Sequence, residues 1–325
     1  MSRAEYSRAR LEELGSRLAP VEDLLRNEPL CIYATGSYGR LEAGKESDID
    51  IFFLYEGHPL VQRLPNLTLI QLSSCLIDAT QEMGFPEFSE DGRYLDVHYL
   101  DHMEEVLGSP DDDSLNAFTA RMLLLLESRP VYGAERYEQI LLAVVGFYYR
   151  DFEDHREQFR PTFLINDILR FWRTLTLNYE HDRYEIRKLP EDEQSDAKAR
   201  SALKNYKLKV SRLATCFSMV LHLASEEPPV EPKRVRELCA LTPRERFESL
   251  RGVGNKEADA CIETLLSTYD AFLDQVQQPR PEVLETFHDE KIRHTRLAEA
   301  GDFGEKIFEL LTLLVPRERL RHLVV

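Results

Sequence analysis

The sequence has few cysteines, and nothing in their spacing indicates that they act together. The chain of 325 residues contains five, with no CxxC motif and no cysteine–histidine spacing of the kind that binds zinc. This pattern argues against a disulfide framework and against a cysteine zinc site, and it is typical of small buried thiols in a reducing compartment. The cysteines are Cys31, Cys75, Cys216, Cys239 and Cys261.

Long hydrophobic runs are missing as well. The longest uninterrupted apolar run, from Ile140 to Tyr149 with Gly146 inside it, is much shorter than the roughly 18–20 residues needed to span a bilayer. The first residues are charged and contain no apolar signal core. We therefore expect a soluble, cytoplasmic protein with no membrane partner.

Basic residues are outnumbered by acidic ones. The chain has 41 lysine and arginine residues against 58 aspartate and glutamate residues, and its formal net charge is −17. A chain this acidic repels a phosphate backbone, so the composition argues against an extended nucleic-acid partner. With 43% hydrophobic residues, the length is sufficient for a sizeable core and for about two domains.

The pattern of apolar residues divides the chain into two parts. Residues 1–133 combine strands and helices and end in a predicted turn at Arg129–Gly133, whereas residues 134–325 show helical periodicity and no further convincing strand. The breaker EEPPVEP at 226–232 is a candidate sub-boundary within the second part. The predicted fold class is therefore α+β, with a small mixed β-sheet domain followed by an all-helical domain.

Local patterns predict the individual elements. The first part is predicted to contain strands at Leu30–Ala34, Asp48–Leu54 and Gly92–Leu100, an amphipathic helix at Asn66–Met83, and a helix at Leu115–Glu127 capped by the acidic run Asp111–Ser114. The second part is predicted to contain an acidic loop at Lys188–Ala197 and helices at Ala134–Phe152, Thr162–Tyr179, Ala199–Ala224, Thr242–Leu250, Asn255–Val276, Pro281–Ala298 and Phe303–Leu314. The run Thr242-Pro243-Arg244-Glu245 predicts a capping box at the start of its helix.

A glycine–serine turn follows the first predicted strand. Gly36 permits a tight turn and lets a phosphate approach the backbone, while the Ser37 hydroxyl and neighbouring helix N–H groups can donate to that phosphate. A turn of this kind is common after a strand. It indicates a phosphate site only in combination with other features.

Two aspartates lie two positions apart on the second predicted strand. Side chains at that spacing point to the same side of a strand, so Asp48 and Asp50 are expected to project together. Two neighbouring carboxylates repel each other unless a cation lies between them. Because the flanking residues are apolar, the pair favours a divalent metal over a solvated strand edge.

A two-metal site requires a further carboxylate. Asp96, on the third predicted strand, is the best candidate because it lies opposite the apolar face of that strand. Asp91 and Asp101 are the alternatives, in positions more typical of loop or helix-capping residues. His98 shares the face of Asp96 and is interpreted either as a neighbour of the metal site or as a packed or solvent-facing histidine.

These residues occur in an order that resembles a known family. The run Gly36-Ser37-Tyr38-Gly39-Arg40, then Glu42, then Ser47-Asp48-Ile49-Asp50, resembles the GSxxR…E…SDxD signature of the DNA polymerase β-like nucleotidyltransferase superfamily. Within it, the chain is similar to the bacterial branch with a uridylyltransferase-type catalytic domain, as are the stretches at 121–132 and 163–175. The resemblance covers roughly residues 31–100 and weakens after Gly133.

The resemblance implies transfer of an NMP from an NTP. It implies that Asp48 and Asp50 bind two Mg²⁺ ions, that Asp96 completes the metal site, and that Gly36 and Ser37 hold the β- and γ-phosphates of ATP or another NTP. An acceptor hydroxyl would attack the α-phosphorus in line and release pyrophosphate. Arg40 and Glu42 are expected to pair near the turn in a structural role.

A basic stripe in the helical part is a candidate for the other wall of the cleft. Arg200, Lys204, Lys207 and Ser211 lie beside an apolar stripe on the predicted helix at 199–224. This stripe is predicted to be buried and consists of Leu203, Tyr206, Val210, Leu213, Phe217 and Val220. Superfamily members often place a lysine and a serine of a helical domain against the triphosphate. The resemblance therefore implies nucleotide-binding roles for Lys204, Lys207 and Ser211, with a solvated basic face as the alternative.

A second polar face occurs on the predicted helix at 162–179. Asn166, Arg170 and Arg173 lie along one side of an otherwise apolar helix. They are predicted to form a buried network with Asp167, and contacts to the nucleotide or the acceptor are the alternative.

The sequence predicts a Mg²⁺-dependent nucleotidyltransferase that moves an NMP from an NTP to an acceptor hydroxyl. Net acidity favours a protein or a small-molecule acceptor over RNA. Two alternatives stay open. The first is a synthase of an oligonucleotide or cyclic-nucleotide signal, as in phage defence, and the second is a non-catalytic nucleotide-binding regulatory module.

Overall fold

The structure is a computed structural model that describes residues 1–88, 92 and 95–323. The chain forms two compact units, one made of Met1–Asp151 with Pro232–Cys239 and the other of Phe152–Glu231 with Ala240–Val325. In the part of the chain that is described, no helix is both long enough and apolar enough to cross a membrane.

The first unit is built on a mixed sheet of four strands. Its strands are β1 (Leu30–Thr35), β2 (Asp50–Tyr55), β3 (Val97–Tyr99) and β4 (Arg129–Tyr132). The spatial order is β3-β2-β1-β4, with β1 antiparallel to both of its neighbours and β2 parallel to β3. Strand β1 is buried at all its positions, as expected for a central strand covered on both faces.

Helices cover the sheet and connect its strands. The helices of the first unit are α1 (Arg3–Ser16), α2 (Glu22–Leu25), α3 (Gly36–Gly39), α4 (Asn66–Glu82), α5 (Leu100–Glu105), α6 (Pro110–Ser114), α7 (Ala117–Glu127), α8 (Ala134–Gly146) and α12 (Pro232–Cys239). The amphipathic helix predicted at 66–83 is confirmed as α4, whose Leu72 and Leu76 are fully buried in one core with Ile51 and Phe53 of β2.

Every regular element among the described residues of the second unit is a helix. Its helices are α9 (Thr162–Ile186), α10 (Glu191–Lys207), α11 (Leu213–Ser225), α13 (Pro243–Ser249), α14 (Lys256–Val276), α15 (Arg280–His288), α16 (Glu290–Leu314) and α17 (Arg317–Leu320). A π-helical segment, Leu208–Arg212, connects α10 to α11. The mixed sheet followed by helices confirms the predicted α+β class.

The prediction of a turn at Arg129–Gly133 is wrong, whereas the prediction that no strand follows this segment holds for the described residues. Residues Arg129–Tyr132 form β4, which pairs with β1 at one edge of the sheet. Pro130 and Gly133 made the segment resemble a turn. Proline is tolerated in an edge strand, where its missing N–H interrupts no ladder on the outer side.

The predicted lengths of two strands are also wrong. Strand β2 begins at Asp50, so Asp48 lies in the preceding loop, and β3 is limited to Val97–Tyr99, so Asp96 precedes the strand. Within the predicted third strand, Arg93 and Tyr94 lie outside the described residues, as does Asp91.

Two acidic runs are helical where loops or caps were predicted. Asp111–Ser114 belong to α6 and do not cap the next helix, whose N-cap is Asn116 in a left-handed conformation with φ of 57°. Most of the predicted acidic loop is the start of α10, because Glu191, Asp192 and Glu193 occupy its first turn. Acidic side chains are favourable there because the N-terminal end of a helix is electropositive.

Other differences concern the length and number of helices. Helix α8 ends earlier than predicted and α9 continues to Ile186, while α16 is one helix from Glu290 and includes the predicted helix at 303–314. Helix α12 was not predicted, although it belongs to the first unit. The capping box expected at the start of α13 is confirmed, with the Thr242 hydroxyl accepting from the Glu245 N–H at 3.2 Å.

Candidate active site

The glycine–serine turn lies where β1 ends and the short helix α3 begins. Gly36 has φ of +66°, a left-handed conformation that favours glycine. A Cβ atom added at this position would lie 3.3 Å from Asp50 Oδ2. Glycine therefore allows both the backbone turn and the close approach of the Asp50 carboxylate.

Asp50 is held beside the turn by the sheet register. It is the first residue of β2 and is paired with Thr35, the last residue of β1. Thr35 is buried, whereas Asp50 is half-buried. The antiparallel pairing of β1 and β2 therefore brings a carboxylate next to Gly36 at one end of the sheet.

The loop between α3 and β2 is fixed by its own hydrogen bonds. The Glu42 N–H donates to the Ser37 carbonyl at 2.8 Å, and the Gly44 N–H donates to Ser47 Oγ at 3.0 Å. Asp48 follows this turn and is exposed. Ser37 is half-buried.

Arg40 and Glu42 form the structural pair that was expected, and the structure adds a third residue. Arg40 Nε donates to Glu42 Oε2 at 2.8 Å, and its guanidinium also pairs with Glu127 Oε2 at the end of α7. All three side chains are buried. Glu127 is 87 positions away from Arg40, so no local pattern in the sequence identified it.

Helix α3 is in direct backbone contact with the C-terminal end of α7. A Cβ atom added at Gly39 would lie 1.9 Å from the Glu127 carbonyl oxygen, which is far inside contact distance. Glycine at position 39 therefore permits an approach of backbone to backbone. Together with the Arg40–Glu127 pair, this contact holds the phosphate-sized turn against the rest of the first unit.

Asp96 lies just before β3, the strand that pairs with β2. Val97 pairs with Phe53, and Asp96 is exposed. His98 stacks on Phe52 with ring centroids 5.9 Å apart, which agrees with the packed-histidine interpretation. Burial lowers the pKa of His98 to about 4, although the Asp96 carboxylate opposes the shift.

Of the two alternatives to Asp96, only Asp101 is among the described residues. Asp101 lies in the first turn of α5, where its backbone N–H donates to the Gly57 carbonyl at 3.2 Å, as expected for a residue at a helix start. Asp91 is outside the described residues.

The three predicted carboxylates supply oxygen ligands of the kind that Mg²⁺ prefers. The space left by the missing Cβ of Gly36 opens toward Asp50, and Asp48 and Asp96 are exposed, so the donor set fits a hydrated divalent cation. In the described part of the chain, the carboxylate oxygens of the three do not all lie within 4.8 Å of one another. Three anions repel one another, which accounts for this separation.

The predicted residues of the helical region lie in the second unit and differ in burial. Lys204 is exposed and pairs through Nζ with Asp182 of α9, and Lys207 is an exposed residue at the end of α10. Ser211 is buried within the π-helical segment. Hydrogen bonds from residue i to i+5 make a π turn wider than an α turn, so Ser211 is out of phase with the two lysines.

The π-helical segment also interrupts the apolar stripe that was predicted beside these residues. Tyr206, Val210 and Val220 are buried as predicted. Leu203, Leu213 and Phe217 are only half-buried. A single uninterrupted helix was assumed, and the π turn shifts the faces of α10 and α11 relative to each other.

On α9, the predicted network contains one ion pair. Arg170 Nη1 lies 3.3 Å from Asp167 Oδ1, and Asp167 is buried. Asn166 and Arg173 are exposed on the same helix. The Arg170–Asp167 pair agrees with the structural interpretation of this face, but the exposed Asn166 and Arg173 do not fit the predicted buried network.

Comparison with known proteins gives a family match in the first unit. Residues 21–116 match the family model described as a nucleotidyltransferase domain. No curated protein matches the chain. The matched residues contain the turn at Gly36, the carboxylates of Asp48, Asp50 and Asp96, and the strands β1 to β3. This part of the chain is a nucleotidyltransferase domain of the polymerase β-like superfamily.

Proposed function

We propose that the protein is a Mg²⁺-dependent nucleotidyltransferase that transfers an NMP from an NTP to the hydroxyl group of a protein or a small molecule. The observation that carries the proposal is the approach of Asp50 to the Gly36 turn, within a segment that matches a nucleotidyltransferase domain. That arrangement brings a carboxylate, a ligand for a cation, next to a turn suited to a phosphate.

The first unit supplies the groups that would bind the triphosphate. The backbone at Gly36 and the hydroxyl of Ser37 would hold the β- and γ-phosphates, because a left-handed glycine lets a phosphate approach the backbone and a serine hydroxyl can donate to it. Asp48, Asp50 and Asp96 would hold two Mg²⁺ ions, which neutralise charge on the attacking and leaving oxygens. The buried Arg40–Glu127 pair would keep the turn in place during the reaction.

The second unit offers three further residues for the nucleotide. Ser211 is buried, and its Oγ has no hydrogen-bond partner among the residues described. It also lies in a π-helical segment, a feature frequent at functional sites. Both observations support a polar ligand for Ser211, and the nucleotide-binding roles of Lys204 and Lys207 stay predictions from the resemblance.

The choice of acceptor rests on charge. With a net charge of −17, the protein repels a long phosphate backbone, which favours a protein or a small molecule over RNA. The resemblance to the uridylyltransferase-type branch is compatible with such acceptors and stays a prediction.

The test is turnover of each labelled NTP by the purified protein, with Mg²⁺ or with a chelator. We expect Mg²⁺-dependent release of pyrophosphate, and we expect Asp50→Asn to lower kcat by roughly 10²–10³-fold, as the loss of a group that stabilises transition-state charge does in other enzymes. Asp154→Asn is the matched control because Asp154 is an exposed aspartate of the other unit.

The products distinguish the competing functions. Label that appears on an added acceptor supports the proposal, whereas a soluble nucleotide product formed without an acceptor identifies a signal synthase. If NTP binds to the wild-type protein but no pyrophosphate is released with any acceptor tested, the chain is a nucleotide-binding module. Turnover that survives Asp50→Asn contradicts the assigned site.

A further inference from the structure

Three side chains that could bind a metal converge at the opposite end of β2 from Asp50. His58 lies in the turn that follows β2, and His102 and Glu105 lie on α5. The Asp101 N–H donates to the Gly57 carbonyl at 3.2 Å and so holds the start of α5 against this turn. All three side chains belong to the first unit.

The distances between their ligand atoms suit a tetrahedral cation. His58 Nε2 lies 3.0 Å from Glu105 Oε2, and His102 Nδ1 lies 3.7 Å from the same oxygen. All three ligand atoms lie within 4.8 Å of one another. Ligands at about 2.1 Å from a tetrahedral zinc ion are about 3.4 Å apart, so only small movements would bring these atoms into coordination.

One ring nitrogen at this cluster lacks a partner. His102 Nδ1 is buried and has no hydrogen bond in the described part of the chain, since its distance of 3.7 Å to Glu105 Oε2 is too long. The two imidazole rings are nearly perpendicular, with centroids 5.6 Å apart. A buried nitrogen that accepts nothing is unfavourable, and a metal ion would satisfy it.

The carboxylate is in the charge state that binds metals. A hydrogen bond from His58 lowers the pKa of Glu105, so the side chain is anionic at neutral pH. Glu105 is also largely exposed, so an ion can reach the cluster from solvent.

We propose that His58, His102 and Glu105 form a binding site for a Zn²⁺-like divalent transition-metal ion. Two imidazoles and one carboxylate are a donor set that zinc uses, and they leave a fourth position for water. Asp50 and His58 are separated by the length of β2, about 20 Å for its six residues, so the site is distinct from the carboxylates assigned to Mg²⁺. The ion would link the turn at 58–61 to α5.

Metal binding would change the hydrogen bonding of His58. The Leu60 N–H donates to His58 Nδ1 at 3.2 Å, so a neutral imidazole carries its proton on Nε2 and donates it to Glu105. Coordination through Nε2 would move that proton to Nδ1 and break the contact with Leu60. The turn would therefore respond locally to the ion.

The test is titration of the chelator-treated, full-length protein with Zn²⁺, in competition with a chromophoric chelator. We expect one tightly bound ion per chain and at least a tenfold loss of affinity in His102→Ala and in Glu105→Gln. His155→Ala is the matched control, because His155 is an exposed histidine of the other unit, and we expect it to bind as the wild type does.

Two further measurements test whether the ion binds at this cluster. Co²⁺ bound at the cluster should show the visible absorption of a nitrogen- and oxygen-coordinated ion, and this absorption should be absent in His102→Ala. Zn²⁺ should raise the Tm of the wild type but not that of Glu105→Gln, an exposed substitution that leaves the fold intact. Zinc binding that is unchanged in both variants, or no binding at micromolar Zn²⁺, would overturn the proposal.

Discussion

Arg40 belongs to the glycine–serine motif and balances the charge of two carboxylates inside the fold. Its side chain lies between two buried carboxylates, Glu42 and Glu127, and all three are nearly inaccessible to solvent. A buried carboxylate is stable only when it is paired. Arg40 is therefore required for the end of α7 and the turn at Gly36 to lie together, whatever the substrate.

We expect Arg40→Met to lower the free energy of unfolding by about 3–5 kcal/mol, because it leaves two buried carboxylates without their cation. Urea unfolding followed by circular dichroism measures the change. Arg26→Met is the control, since Arg26 pairs with Asp23 on the surface and should cost less than about 1 kcal/mol. Equal losses in the two variants would show that the buried triad has no special role.

Besides the Arg40–Glu127 pair, a direct approach of the α3 and α7 backbones positions the turn. Gly39 lies so close to the Glu127 carbonyl that no side chain fits between them. The first unit thereby positions a short, four-residue helix that would not be stable alone. The position of the candidate site thus depends on how two elements pack.

We expect Gly39→Ala to destabilise the protein by about 3 kcal/mol and to lower NTP turnover, because the added methyl group would force α3 away from α7. Gly301→Ala is the matched control: Gly301 lies within α16 and has open space around it. There the same substitution should stabilise the helix by up to about 1 kcal/mol. Thermal unfolding of both variants tests the pair, and a neutral Gly39→Ala would contradict the close contact.

Across the whole chain, the cysteines behave as predicted for a reduced protein. None of the five forms a disulfide bond, and four of them are buried, in both units. Burial raises the pKa of Cys31 and of Cys216 to about 12. In the unfolded chain these thiols ionise near pH 9, so between pH 9 and pH 12 unfolding releases protons and the native state loses stability as the pH rises.

We expect the wild type to lose about 1 kcal/mol more stability than Cys216→Ala when the pH rises from 8 to 10. The variant lacks one thiol that is neutral when folded and ionised when unfolded. Cys75→Ala is the control, because Cys75 is only half-buried and its removal should change the pH dependence less. Identical pH dependence in the wild type and Cys216→Ala would contradict the burial of this thiol.

Local patterns in the sequence predicted the features that depend on neighbours along the chain. The strand before Gly36, the amphipathic helix α4 and the capping box of α13 each result from contacts within a few residues, so periodicity and capping rules identify them. The candidate residues of the turn and of the aspartate pair also lie close together in the chain. The strand that carries Asp50 was predicted from the same stretch, although it begins at Asp50 and not at Asp48.

The remaining features depend on contacts between distant residues. Strand β4 forms because β1 offers an edge for it, the π-helical segment turns Ser211 away from the face of Lys204, and Glu127 meets Arg40 only in the folded chain. His58 and α5 likewise meet through the path of the chain, although the His102–Glu105 spacing on one helix was a signal in the sequence. Neighbour-dependent propensities carry no information on such pairings, because their free energy comes from burial and from charge pairing that exist only after folding.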